Sequence, residues 1–251
     1  MPRLAGPLDL RYDAGVYYLL GTALAEGHGY RLLNEPGAIA AIQYPPLLPM
    51  VVAAHQWLSG SSDPAVAGHA LRWSFAALFL VYGLAVYAFS RRWLRPGWSL
   101  IATLLSLLNL QLLWLSDALF AELPFACCTI LFLLVADRED RRGVAALLGA
   151  AAYLLRSSGI AILVAWVLDG FLQRRWLETT LRAVLATLPV LVWQAYVAEV
   201  QHHPDYVRPA YEYQRAPYNF YNVGYLVNMA YVDPFVPERG WASAGQLLTR
   251  V

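Results

Sequence analysis

The sequence predicts an all-α fold, a polytopic bundle of transmembrane helices with interfacial helices outside the membrane. Three observations carry this. The chain is 59% apolar and 14% charged, against about 45–50% and about 25% in an ordinary soluble domain. Its apolar residues gather into runs near the length a bilayer requires, about 20 residues at 1.5 Å each. The loops between these runs alternate between arginine-rich and arginine-poor.

The runs follow in order. Leu71 to Ser90 is a full span, closed by Arg91, Arg92 and Arg95. Trp98 to Leu115 is a second, ending at Ser116 and Asp117. Ala118 to Ala136 is a third, followed by Arg138, Arg141 and Arg142. Gly143 to Leu155 and Ile160 to Leu172 are short. A helix of either length reaches about 20 Å, against a hydrocarbon core of about 30 Å. Arg156, between them, is therefore expected below the membrane surface, where broken backbone is tolerated if it lines a cavity. Leu181 to Val200 is the last full span, with Pro189 inside it.

The positive-inside rule places arginine-rich loops in the cytoplasm. Arg91 to Arg95, Arg138 to Arg142 and Arg174-Arg175 then share one side. Asp117, the Arg156 to Gly159 turn and everything after Gln201 take the other. The expected organisation is an extracytoplasmic loop with interfacial helices over 1–70, about six spans over 71–200, and a Tyr-rich extracytoplasmic segment over 201–251. Within the first part, Pro45, Pro46 and Pro49 should stop a helix, leaving a short interfacial helix after them. The Tyr-rich segment carries Tyr211, Tyr213, Tyr218, Tyr221, Tyr225 and Tyr231.

Net charge of +1 gives no footprint for nucleic acid. Cys127 and Cys128 are adjacent in an apolar run and lack disulfide or zinc spacing. His28, His55 and His69 have no ligand spacing, and His202-His203 before Asp205 would make at most a weak surface site. No cofactor is expected, and nothing in the sequence supports a divalent metal.

The residues that could carry chemistry come early and at helix ends. Asp13 and Tyr17 are four apart and would share a helix face; an N-cap aspartate fits that spacing equally. Asp117 and Glu122 head a span. Five residues apart on one helix, they would point about 140° away from each other. Glu122, the deeper, is expected to be the more buried of the two. Arg156 offers a planar fork suited to phosphate oxygens, though it could instead snorkel to the interface.

The order Asp13-x-x-x-Tyr17, Gly27-x-Gly29-Tyr30, Tyr44-Pro45-Pro46-Leu47, then a span, then Ser116-Asp117 and Glu122, resembles the GT-C superfamily. Its members are polyprenyl-phosphate-sugar-dependent membrane glycosyltransferases, among them protein O-mannosyltransferases and lipid A aminoarabinose transferases. The stretch Gly149 to Gly159, ending Leu154-Leu155-Arg156-Ser157-Ser158-Gly159, is similar to that family's small-residue helix and basic turn. The resemblance covers roughly 13–172. It implies a transferase of the cell membrane, multi-pass, with its site on the extracytoplasmic face. The partners implied are a polyprenyl-phosphate sugar donor, a lipid, glycan or protein acceptor, and membrane lipids. Asp13 becomes the implied general base or acceptor positioner; Glu122 and Asp117, as acids at the head of a span, are further candidate catalytic carboxylates, though Asp117 could instead be a solvated charge at a helix end. Arg156, Tyr17, Tyr30 and Tyr44 become the implied substrate-binding residues, and a sugar-sized gap is expected between Asp13 and Arg156. The second acid found next to the aspartate in protein O-mannosyltransferases is Ala14 here. The family also has a span before this aspartate, so the chain is expected to be a piece of a longer protein. A transporter or flippase subunit and a non-catalytic fragment are the alternatives, and no inverted repeat supports the first.

Overall fold

A computed structural model of the protein describes residues 6–207, 230–232 and 239–248. Its elements in chain order are α1 (Asp13–Ala25), β1 (Arg31–Leu32), β2 (Ile39–Ala40), α2 (Leu47–Ser59), α3 (Pro64–Ser90), α4 (Pro96–Leu107), α5 (Leu110–Leu115), α6 (Glu122–Val135), α7 (Arg142–Leu155), α8 (Ile160–Leu172) and α9 (Trp176–His202). A short helix, Ala244–Leu248, lies beyond them. The fold is thus mostly helical, as expected. Its sheet is one antiparallel pair, Arg31 with Ala40 and Leu32 with Ile39. Of the expected tyrosine-rich segment, Tyr211, Tyr213, Tyr218, Tyr221 and Tyr225 lie outside the described residues. Tyr231 is described, and stacks on Trp241 with ring centroids 4.7 Å apart.

Among the described residues two helices, α3 and α9, are long and apolar enough to cross a membrane. Each has 27 residues, about 40 Å of helix. Helix α3 starts earlier than the apolar run suggests, because Asp63 accepts from the Ala65 amide at 2.8 Å and Pro64 occupies the first turn. Of two other stretches expected as single spans, one divides and one starts late. Trp98 to Leu115 breaks at Asn109, whose side chain accepts from the Leu112 amide at 3.1 Å and starts α5. In Ala118 to Ala136 the helix begins only at Glu122, because Ala118 pairs as a parallel bridge with Asp9. The prolines do not delay α2 until after Pro49. The helix starts at Leu47, and Pro49 falls in its first turn, where an amide hydrogen has no partner to lose.

Ion pairs and hydrogen bonds fix the helix directions. Arg92, just past α3, donates to the Leu133 carbonyl at 3.1 Å and to Asp137 at 3.0 Å. Arg72, near the start of α3, pairs with Asp117 just ahead of α6. Arg156 pairs with Glu122, and Arg175 pairs with Glu139 at 2.8 Å. Helices α3, α6 and α8 therefore run one way, and α7 and α9 run back. One end of the bundle collects Arg91, Arg92, Arg138, Arg141 and Arg175. The other collects α1, α2, Asp117 and the turn at Ser157.

Buried charge ties α7, α8 and α9 together near the arginine end. Arg182, 2% exposed, reaches Asp169 at 2.9 Å, Glu178 at 3.0 Å and the Trp166 carbonyl at 3.0 Å. Arg142 closes the set on Glu178. Because each buried charge has a partner, the desolvation cost is offset locally.

Two glycines allow close approach. A Cβ on Gly21 of α1 would sit 2.5 Å from Val52 Cγ1 and 2.9 Å from the Pro49 carbonyl of α2. A Cβ on Gly159 would sit 2.5 Å from the Tyr153 amide nitrogen and 2.6 Å from the Ala152 carbonyl carbon, both backbone atoms that cannot rotate away. Gly159→Ala should therefore cost about 1–3 kcal/mol of stability, the usual scale of overpacking. Gly143→Ala, with nothing within 4 Å of its added carbon, should cost nothing. Thermal unfolding of the two variants in detergent compares them directly.

Candidate active site

The chain reaches Asp13 through an anchored strap. Leu8 N–H donates to the Gly68 carbonyl at 3.4 Å, Asp9 N–H to the Asp117 carbonyl at 3.1 Å, and Leu119 N–H to the Asp9 carbonyl at 3.1 Å. Arg72 secures both sides, donating to Asp117 and to the Pro7 carbonyl. Tyr12 then takes φ 60° and ψ −137°, a sparsely populated conformation costing about 1–3 kcal/mol. It turns the chain so that Asp13 opens α1. The N-cap position falls on Tyr12, which makes no side-chain capping bond, and Asp13 is the first helical residue rather than the cap. The Asp13 carboxylate is hydrogen-bonded by Tyr44.

Asp13, Tyr17, Tyr44, Glu122 and Arg156 line one cavity, closed by Phe120, Leu155 and the Ser157-Ser158 turn. Asp13 and Tyr17 share a face of α1, as their spacing predicts. Tyr17 and Tyr44 pack with ring centroids 4.8 Å apart. Glu122 enters at the first residue of α6, where the helix dipole favours a carboxylate. Arg156 enters where α7 breaks into extended backbone, φ −147° and ψ 133°, before the Ser157–Gly159 turn. The broken backbone expected between the short helices therefore does line a cavity.

The charges are arranged unevenly. Arg156 donates to Glu122 Oε1, while Glu122 Oε2 is buried without a hydrogen-bond partner. Burial pushes the Asp13 carboxyl above the ordinary aspartate range; the hydrogen bond from Tyr44 opposes this, the nearby Glu122 charge adds to it, and Arg156 opposes it. The cavity holds about 60 Å³, room for waters rather than for a hexose. The sugar-sized gap expected between Asp13 and Arg156 is therefore not open, and Arg156 is engaged by Glu122.

Two expected site residues stand elsewhere. Asp117 does not line the cavity. It belongs to the turn before α6, so the helical angle assigned between it and Glu122 does not apply, and its partner is Arg72. Nor is Glu122 the more buried acid. Its side chain is 33% exposed, against 24% for Asp117, because the Arg72 contact covers the latter. Tyr30 also lies outside the cavity lining. Its hydroxyl donates to the Tyr44 carbonyl at 2.8 Å, and its ring meets Trp193 and Tyr196 of α9 edge-on. It holds Tyr44 in place and docks the loop on α9. Sequence reasoning missed Phe120, Ser157 and Ser158, although the last two adjoin Arg156 in a motif it had singled out. No group of three or more potential metal ligands occurs among the described residues.

No protein-family model matches the chain, and no curated protein or solved structure matches it either.

Proposed function

We propose that the chain is a multi-pass membrane glycosyltransferase. It moves a sugar from a polyprenyl-phosphate donor to a cell-envelope acceptor, at a site on the extracytoplasmic face. The observation that carries this reading is the convergence of Asp13, Tyr44, Glu122 and Arg156, from four separate parts of the chain, on one cavity. A carboxylate that can take a proton and a guanidinium that can hold a phosphate are what such a transfer needs. The membrane half is supported by α3 and α9, in whose apolar stretches only 17% is buried. Leu80, Leu84, Val184, Leu188 and Leu191 point outward on them, an apolar surface far larger than a monomer in water carries. Trp93, Trp98 and Trp176 stand exposed at the arginine end, as interfacial tryptophans do. That end is the cytoplasmic one by its arginines, which leaves the Asp13 cavity outside.

In the proposed reaction an acceptor hydroxyl or amine attacks the anomeric carbon and gives its proton to Asp13. The bond from that carbon to the phosphate oxygen breaks, and polyprenyl phosphate leaves with the electron pair, held by Arg156. For the donor to bind, its phosphate must first take the place of Glu122 on Arg156. The incoming anion also faces two carboxylates, which favours proton uptake by Asp13 at the moment it is required.

Arg156→Lys tests the reading. It keeps the charge and loses the fork, so in a transfer assay the KM for a polyprenyl-phosphate sugar should rise about tenfold or more, with a smaller change in kcat. An unchanged KM would remove Arg156 from the donor site.

A further inference from the structure

A second cavity lies at the opposite end of the bundle and is much larger, about 660 Å³. The ends of α3 and α6 and the start of α7 form it. Its lining combines Arg91, Arg92, Arg138 and Arg141 with apolar residues that include Leu134 and Leu148. None of its lining residues is acidic. We propose that this cavity binds one anionic phospholipid of the cytoplasmic leaflet, phosphate at the arginines and an acyl chain along the leucines.

The four arginines are not equivalent. Arg92 is engaged in the fold, on the Leu133 and Leu134 carbonyls and on Asp137. Arg91 donates to the Leu94 carbonyl at 2.6 Å. Both serve to shape the pocket. Arg138 makes no ion pair among the described residues. Arg141 has only Asp140 at 3.9 Å, both side chains being more than half exposed, a contact worth little. Two other carboxylates of the same loop are turned elsewhere, Asp137 to Arg92 and Glu139 to Arg175. Arg138 thus presents a fork with no ion pair among the described residues and Arg141 one held only by the long, exposed Asp140 contact, and two forks suit a phosphodiester. A free phosphate would leave the apolar wall empty. A lipid fills both halves, and basic pockets between helices on the cytoplasmic side are the usual anionic-headgroup sites. The proposal rests on the membrane reading and is independent of the transferase reading.

The test uses the full chain in nanodiscs, then released and examined by native mass spectrometry and thermal unfolding. Incorporation into nanodiscs is read first and reports on the membrane reading alone. Phosphatidylglycerol should remain bound and raise Tm, while phosphatidylcholine should do neither. Arg138→Gln/Arg141→Gln should weaken phosphatidylglycerol retention about 30-fold, the effect of two arginines at a headgroup. Arg95→Gln removes a nearby charge that lies outside the cavity lining and should leave retention unchanged. Equal retention by the double variant, equal retention of phosphatidylcholine, or equal loss in Arg95→Gln overturns the proposal. So does a Tm rise of the same size from inorganic phosphate alone, which would make the site one for the free ion.

Discussion

Asp13→Asn should lower sugar transfer by about 10²-fold or more and, in the same molecule, raise the melting temperature at neutral pH. The first effect follows from removing the proposed base while keeping its size and its hydrogen bond to Tyr44. The second follows from the raised Asp13 pKa, whose main cause is burial. With a folded-state pKa above the unfolded one, the protonated carboxyl favours folding. That contribution is complete below the unfolded pKa and is lost as pH rises through the folded value. The asparagine variant has nothing to lose over this range. The Tm difference between variant and wild type should therefore open as pH climbs from the ordinary aspartate range and level off above the raised pKa. The acid limb of the wild-type kcat/KM profile should sit in the same elevated window. A Tm difference that ignores pH would remove the electrostatic account of Asp13.

Asp117→Ala should do the reverse, harming the fold and sparing the chemistry. Arg72 is 4% exposed and would be left facing only the Pro7 carbonyl and its other neighbours with its carboxylate gone. Breaking such a pair costs about 3–5 kcal/mol, and here the lower end applies because Asp117 is 24% exposed. Denaturant unfolding should register a loss of about 3 kcal/mol. Replacing both partners with apolar residues, Arg72→Met with Asp117→Leu, should return most of it. Turnover per folded molecule should stay within a few-fold of wild type. A loss of turnover as large as that of Asp13→Asn, with the fold intact, would return Asp117 to the catalytic set.

The helical character, the directions of α3, α6, α7, α8 and α9 and the clustering of arginines at one end were legible from the apolar runs and the charges between them, because both are properties of local sequence. The helix breaks were not. Asn109 ends α4 by offering its side chain to a backbone amide, and Ala118 leaves the helix to bridge Asp9, a partner more than a hundred residues away in the chain. Of the site, Asp13 with Tyr17 was legible from helical spacing, and Arg156 from the interruption between two short helices. The Arg72–Asp117 pair was not, since Arg72 sits within an apolar run where no pattern names its partner. The closed state of the cavity was equally invisible. The resemblance implied one site for Glu122 and Arg156, but only the folded chain puts one on the other.

The Glu122–Arg156 contact gives the most direct test. If the cavity is a lipid-phosphate site held shut by Glu122, then polyprenyl phosphate and Glu122 compete for one guanidinium. Binding of polyprenyl phosphate to the full chain, measured by native mass spectrometry, should tighten about tenfold in Glu122→Gln, the scale of one charge-assisted hydrogen bond removed from the competitor. It should be lost in Arg156→Gln. Equal binding by wild type and both variants would contradict the account.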